Sequence, residues 1–418
     1  MEDTIRNEKK LYFCGMRLFT LTSDLHGELA RNAHNEQFIK DIEAAVGQTF
    51  DYRETDYSDY GAVGDIIYVR TGGTEAIFKE VFAGHEGARV RLLTSGQSNS
   101  LAASMEILAW LRAQGMDGEI IHGSIEHIAS ELNRYYPRRS RVVSPLIQPF
   151  ADLGILDGKR YGVVGRPSDW LISSAVDYEQ VRDMLGAEIV DIPIEKLVDM
   201  VRAGVGSDDS VIPLKPMNEP KFGKPISEAD FSGAQAIYRA LRQIIADYKL
   251  DGLTLRCFDM LTALGNTGCL ALSMLNAEGF VAACEGDIPA MLSMAVLHQR
   301  YGKTGFQVNL SRISGGSFLF AHCTVPLNMV SDYCYDTHFE SGMGVAIHGE
   351  LPTGKARIYK ISADMLSCID EEVELYANSY EGNLCRTQVL VSPSSHPASD
   401  LKRYFLRTPL GNHHILLI

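Results

Sequence analysis

Gly279-Phe280-Val281-Ala282-Ala283-Cys284-Glu285-Gly286-Asp287-Ile288-Pro289 is the stretch that decides the fold. Its apolar run, 279–284, is too short for a helix and reads as a buried strand. Asp287 followed by Ile288-Pro289 reads as the opening of a helix, with Asp as the cap and Pro in the first turn. A strand that passes through one turn into a helix marks an α/β sheet, and Glu285 then stands at the carboxyl end of the strand, the edge where such sheets bind ligands.

Upstream the same alternation repeats. Segments 11–22, 66–71 and 90–94 are strand-like and each leads into a helical pattern; 161–165 and 253–257 are strand-like as well, with helices predicted over 177–185 and 228–248. Strands alternating with helices predict parallel sheets covered on both faces. After about Gly305 short alternating runs take over, at 306–312, 317–324, 344–349 and 356–361, punctuated by Gly315-Gly316 and Pro352-Thr353-Gly354. That texture predicts a small barrel or sandwich. The expected architecture is α/β: two Rossmann-like parallel-sheet domains, 1–157 and 158–304, followed by a β-rich, barrel-like C-terminal domain, 305–418.

Composition narrows the function classes. The 418 residues are 45% hydrophobic and 22% charged, with a formal net charge of −14. The acidic balance argues against a nucleic-acid partner. No run of about 18 apolar residues predicts a membrane span, and the first residues, Met1-Glu2-Asp3-Thr4-Ile5-Arg6, have no apolar core, so a cytoplasmic protein is expected. None of the eight cysteines forms a Cys-x-x-Cys pair, and they read as reduced thiols.

Several residues could carry chemistry. Glu285 has no structural role that would explain it, whereas Asp287 reads first as a helix cap and second as a catalytic carboxylate. His322 lies in the apolar run 318–323. His338 and Glu340, two apart, point to one face if that segment is a strand. His413 and His414 are adjacent, so only one of them can face a given site. A carboxylate and imidazoles at strand exits are divalent-metal ligands by type. The turn Arg70-Thr71-Gly72-Gly73-Thr74-Glu75 could offer exposed amides at a helix start to an anionic or hydroxyl-rich ligand, or simply connect a strand to a capped helix. Trp170 beside Asp169 could stack on a sugar ring or fill a domain interface. Arg386, Arg256 and Arg166 could pair with an acidic group or form structural ion pairs. Cys284, Cys323 and Cys385 neighbour the candidates and read as small packing residues.

Together the motifs Ala283-Cys284-Glu285-Gly286-Asp287, Ala321-His322-Cys323-Thr324-Val325-Pro326, Thr337-His338-Phe339-Glu340-Ser341-Gly342, Leu384-Cys385-Arg386-Thr387-Gln388 and Gly411-Asn412-His413-His414 resemble the L-fucose/L-arabinose isomerase superfamily. The segments 70–75 and 98–108 resemble its first domain. The resemblance implies an aldose–ketose isomerase working through an enediolate, with Mn2+ or a similar divalent cation as cofactor, in a homo-oligomer, trimer or hexamer, that acts on a small sugar. It implies Glu285, His322 and His413 or His414 as metal ligands, with His338 a further candidate. It places Asn309 where a second carboxylate is expected. An amide cannot shuttle a proton at neutral pH, so either Glu340 or Asp287 takes that task, or the chain is an altered, sugar-binding member of the fold. Asn309, Arg386, Trp170 and Glu75 are the residues expected to touch substrate.

Overall fold

The computed structural model describes residues 15–23, 33–134, 144–206 and 212–418. The charged first residues and positions 11–14 of the first expected strand lie outside them. The chain divides into two compact units: 1–145 with 310–318 and 398–412, and 146–309 with 319–397 and 413–418.

The first unit holds a parallel sheet of β1 (Arg17–Leu21), β2 (Asp51–Glu54), β3 (Asp65–Val69), β4 (Val90–Leu93) and β5 (Gly118–Ile121), in the order β2-β1-β3-β4-β5. Every residue of β3 and β4 is buried, as expected of strands covered on both faces. Leu18, Ile66, Tyr68, Leu93 and Ile121 share one core with Ile39, Ile42, Ile128 and Leu132 of the helices Gln37–Val46 and Ile125–Leu132.

In the second unit β6 (Ile147–Pro149) precedes another parallel sheet, made of β7 (Arg160–Val164), β8 (Glu188–Ile192), β9 (Gly252–Leu255) and β10 (Val281–Cys284), in the order β10-β9-β7-β8. Helix Ile288–Tyr301 follows β10 directly, and its Met291, Met294 and Val296 share a core with Val281 and Ala283. The short apolar run 279–284 thus supplies a strand buried on both faces, and its turn opens the expected helix.

The C-terminal strands are β11 (Phe306–Ser314), β12 (Ser317–His322), β13 (Asp332–Asp336), β14 (Ala346–Glu350), β15 (Gly354–Ile361), β16 (Ser367–Asn378), β17 (Thr387–Pro393) and β18 (His414–Leu417). Six of them, in the order β15-β18-β11-β12-β17-β16, close into a barrel through antiparallel pairing of β15 with β16; β6 adds to the outer edge of β16, and β13 pairs with β14 apart from the barrel. Two parallel sheets and a small antiparallel barrel are the architecture the sequence predicts. Among the described residues no helix is long and apolar enough to cross a membrane.

Candidate metal centre

Glu285 is the first residue past β10. Two backbone hydrogen bonds set its turn: Gly286 N donates to Leu255 O on the neighbouring strand (3.0 Å), and Ser168 N donates to Glu285 O (3.1 Å). The turn is tight enough that Glu285 itself takes a left-handed backbone, φ 64°, and Gly286 follows at φ 69°. A non-glycine residue there is costly and is a recurrent mark of functional sites. At Gly286 a Cβ would meet Arg166 O at 2.5 Å, so the position also requires glycine for lack of space.

Asp287 divides its carboxylate between two tasks. One oxygen caps helix Ile288–Tyr301 by accepting from Ala290 N (2.8 Å), and the other lies 2.8 Å from His413 Nδ1. The cap is legible in the sequence; the grip on His413 is not.

His322 ends β12. Its Nδ1 is occupied by Thr324 Oγ1 at 2.9 Å, and its Nε2 lies 3.7 Å from Glu285 Oε1. His413 Nε2 lies 3.4 Å from the same oxygen, and the two imidazoles stand edge to face, 5.5 Å between centroids. Donor atoms of Glu285, His322 and His413 all lie within 4.8 Å of one another. One carboxylate oxygen and two imidazole nitrogens, each ring held at Nδ1 so that Nε2 faces inward, suit a divalent cation. Both histidines are buried and the Glu285 side chain is 13% exposed.

The electrostatics follow from this burial. Desolvation pushes the Glu285 carboxyl up, but His413 and His322 outweigh it and hold the group well below its ordinary value. Burial likewise works to raise Asp287, and the charge of Lys360 with His413 overcomes it. For His413 burial disfavours the cation, yet Glu285 and Asp287 together raise its pKa to about 10. Lys360, fully buried, donates to His413 O at 2.9 Å. Sequence reasoning overlooked it; a lysine inside the apolar run 358–361 is the signal that could have found it.

The other expected site residues fall around this trio or away from it. The antiparallel register pairs Val308 with His414, so the next opposing position brings Asn309 across from His413. Asn309 is buried and its Oδ1 has no hydrogen-bond partner. His414 and His338 are both buried and lie outside the trio. His338 Nδ1 is taken by Ser341 Oγ at 3.1 Å, and its ring meets Phe258 edge on at 5.5 Å. Burial lowers the His338 pKa. Glu340 is half-buried in the same turn. Arg386 holds that turn: its Nε donates to Thr337 O at 2.7 Å and its guanidinium lies 5.9 Å from the Phe339 ring centre. Trp170 donates its indole N–H to Glu285 Oε2 at 2.7 Å. Glu75 belongs to the first unit, where it opens helix Glu75–Phe82 and is buried. Cys269, Cys323 and Cys385 pack with Leu319, Ala321 and Leu384 in an apolar cluster.

The two tasks of Asp287 can be separated. Asp287→Asn keeps a good cap but removes the charge beside His413 Nδ1, so Mn2+ affinity is expected to fall about 10–100-fold. Metal-free melting at neutral pH is expected to fall with it, because this charge helps hold the His413 cation. Asp287→Ala is expected to lose the cap as well, about 1 kcal/mol. Calorimetric Mn2+ titration and thermal melts check both; wild-type affinity in Asp287→Asn would remove this carboxylate from the site.

No known protein family's profile matches the chain. A stretch of 167 residues, 39% of this chain, is 25% identical to sulfoquinovose isomerase of Alkalicoccus urumqiensis. The match spans 37% of that relative's length. A stretch of the chain is thus similar to part of a sugar isomerase, and the chain carries a three-residue cluster that could hold a metal ion.

Proposed function

We propose that the protein is a metal-dependent aldose–ketose isomerase acting on a sugar or sugar derivative. The observation that carries this reading is the meeting of Glu285, His322 and His413, from chain segments far apart in sequence, with donor atoms within 4.8 Å of one another. The similarity to a sulfoquinovose isomerase supports the same class. The motif resemblance to the L-fucose/L-arabinose isomerase superfamily supports a homo-oligomer, trimer or hexamer, and the cysteines, read as reduced thiols, support a cytoplasmic protein.

Glu285, His322 and His413 hold the cation, for which Mn2+ suits a mixed oxygen and imidazole donor set. When bound, the cation supplies Lewis-acid stabilisation to the adjacent carbonyl and hydroxyl oxygens of an open-chain sugar. Asn309, its Oδ1 buried and unpartnered, accepts a hydrogen bond from a sugar hydroxyl. The turn 337–342, held by Arg386, carries the groups assigned to proton movement: Glu340 takes the C2 proton and returns it at C1, and His338, kept neutral by burial, accepts the O2 hydroxyl proton and passes it to O1.

The test is deuterium incorporation from heavy water, with added Mn2+, into a panel of pentoses, deoxyhexoses, uronic acids and sulfoquinovose. Exchange at C2 of at least one sugar, lost on chelation, is expected. Asn309, an amide where a carboxylate would serve acid–base work, favours the second reading, an altered member that binds sugar without turning it over. A protein that binds Mn2+ and a sugar but exchanges no C2 proton would establish that reading instead.

A further inference from the structure

The loop 166–170 is fixed more firmly than a simple strand exit requires. Arg256, buried beside it, donates from Nη1 to Pro167 O at 2.7 Å and from Nη2 to Asp169 Oδ2 at 2.8 Å, while its Nε reaches Asp259 Oδ1 at 2.9 Å. Ser168 N is bonded to Glu285 O, and Gly286 lies directly against Arg166 O. Phe258 presses edge to face on Trp170, 4.9 Å between centroids at 78°. Each of these contacts limits the freedom of one side chain, Trp170, whose only hydrogen-bonding group, the indole N–H, is spent on Glu285 Oε2 at 2.7 Å.

The two oxygens of Glu285 therefore have different surroundings. Oε1 faces His322 Nε2 at 3.7 Å and His413 Nε2 at 3.4 Å; Oε2 faces the indole. We propose that Trp170 is the positioning residue of the metal centre: it holds Oε2 so that Glu285 offers a divalent cation one oxygen and not two. The inference rests on the isomerase reading and deepens it. A cation of octahedral preference, held by three single-atom protein donors, would keep three positions open. A chelating carboxylate would take one of those three. The indole thus reserves room at the cation for two neighbouring oxygens of an open-chain sugar, and it limits the centre to substrates that present such a pair.

The role is distinct from stacking on a sugar: it uses the N–H on the ring edge, whereas stacking uses the face of the ring. Trp170→Phe keeps an aromatic ring against Phe258 and deletes only the N–H donor. Measured on the full chain by the electron paramagnetic resonance signal of free Mn2+, this variant is expected to bind Mn2+ about 10–100-fold more weakly, the usual consequence of removing a group that orients a ligand. A second measurement does not depend on that variant folding. Trp110→Phe, in the first unit, leaves Trp170 as the one indole in the chain, and paramagnetic Mn2+ is expected to quench its emission with the midpoint found by resonance. Wild-type affinity in Trp170→Phe, or emission of Trp110→Phe unmoved at saturating Mn2+, overturns the role given to Trp170 and leaves the metal reading standing. A wild-type protein that binds no Mn2+ overturns both.

Discussion

Glu285→Gln is expected to lose Mn2+-dependent proton exchange altogether and to weaken Mn2+ binding by more than the ~10–100-fold typical of outer groups, because it removes a donor atom itself. The amide is close to isosteric, so the turn survives: Gly286 N to Leu255 O and Ser168 N to Glu285 O are backbone bonds, and the Trp170 N–H can still donate to an amide oxygen. What disappears is the negative charge that counters His413 and His322. Burial of that charge costs free energy which the imidazoles outweigh, so its removal is expected to lower metal-free melting at neutral pH, the loss being limited because the imidazoles are free to become neutral. Isothermal titration with Mn2+, C2 exchange and a thermal melt form the check. Full exchange in a folded Glu285→Gln protein would remove this residue from the mechanism.

Glu285 is legible in the sequence because a carboxylate at the exit of an apolar run has no packing role to explain it. His322, at the end of an apolar strand, reads from its neighbours alone as a core histidine as readily as a ligand, and only its meeting with Glu285 and His413 separates the two. The alternation of strands and helices, and its replacement by short punctuated strands after residue 305, carries the fold because periodicity is a local property of the chain. Local properties cannot choose between His413 and His414, since adjacent residues on a strand face opposite ways. The choice is made by pairing, with Val308 opposite His414 and the next step facing Asn309 toward His413. Asp287 shows the same limit: its helix cap is written in neighbouring residues, while its hold on His413 joins groups 126 positions apart. The Trp170–Glu285 bond spans 115 positions and left no local trace. His338 and Glu340, expected on one strand face, lie instead past the end of β13, in the turn tied by Arg386. The physical reason is the Ser341 and Gly342 pair that follows, where the chain folds back on His338 through Gly342 N to His338 O at 2.8 Å.

Mn2+ affinity is expected to rise about tenfold per pH unit between pH 6.5 and 8.5, with close to one proton released for each cation bound. Burial favours neutral His413, but Glu285 Oε1 at 3.4 Å and Asp287 Oδ2 at 2.8 Å outweigh it and lift the pKa from 6.5 to about 10. In the metal-free protein the imidazole is therefore protonated throughout that range, with Nδ1–H donated to Asp287 and Nε2–H turned toward Glu285. A cation needs the Nε2 lone pair, so binding must expel that proton. Glu285 and Asp287 are both held below their ordinary values, stay ionised across the range and add no slope. Stability runs the other way. A histidine whose folded pKa is raised stabilises the metal-free fold fully below its unfolded pKa near 6.5, and that contribution is lost as pH rises toward about 10. Metal-free melting should thus decline with rising pH over the range in which the shift produced by Mn2+ grows. Calorimetry in two buffers of different ionisation enthalpy counts the released proton, and melts with and without Mn2+ give the opposed trends. An affinity flat from pH 6.5 to 8.5, with no proton released, would mean that His413 meets the cation already neutral and that its two carboxylate neighbours do not govern its charge.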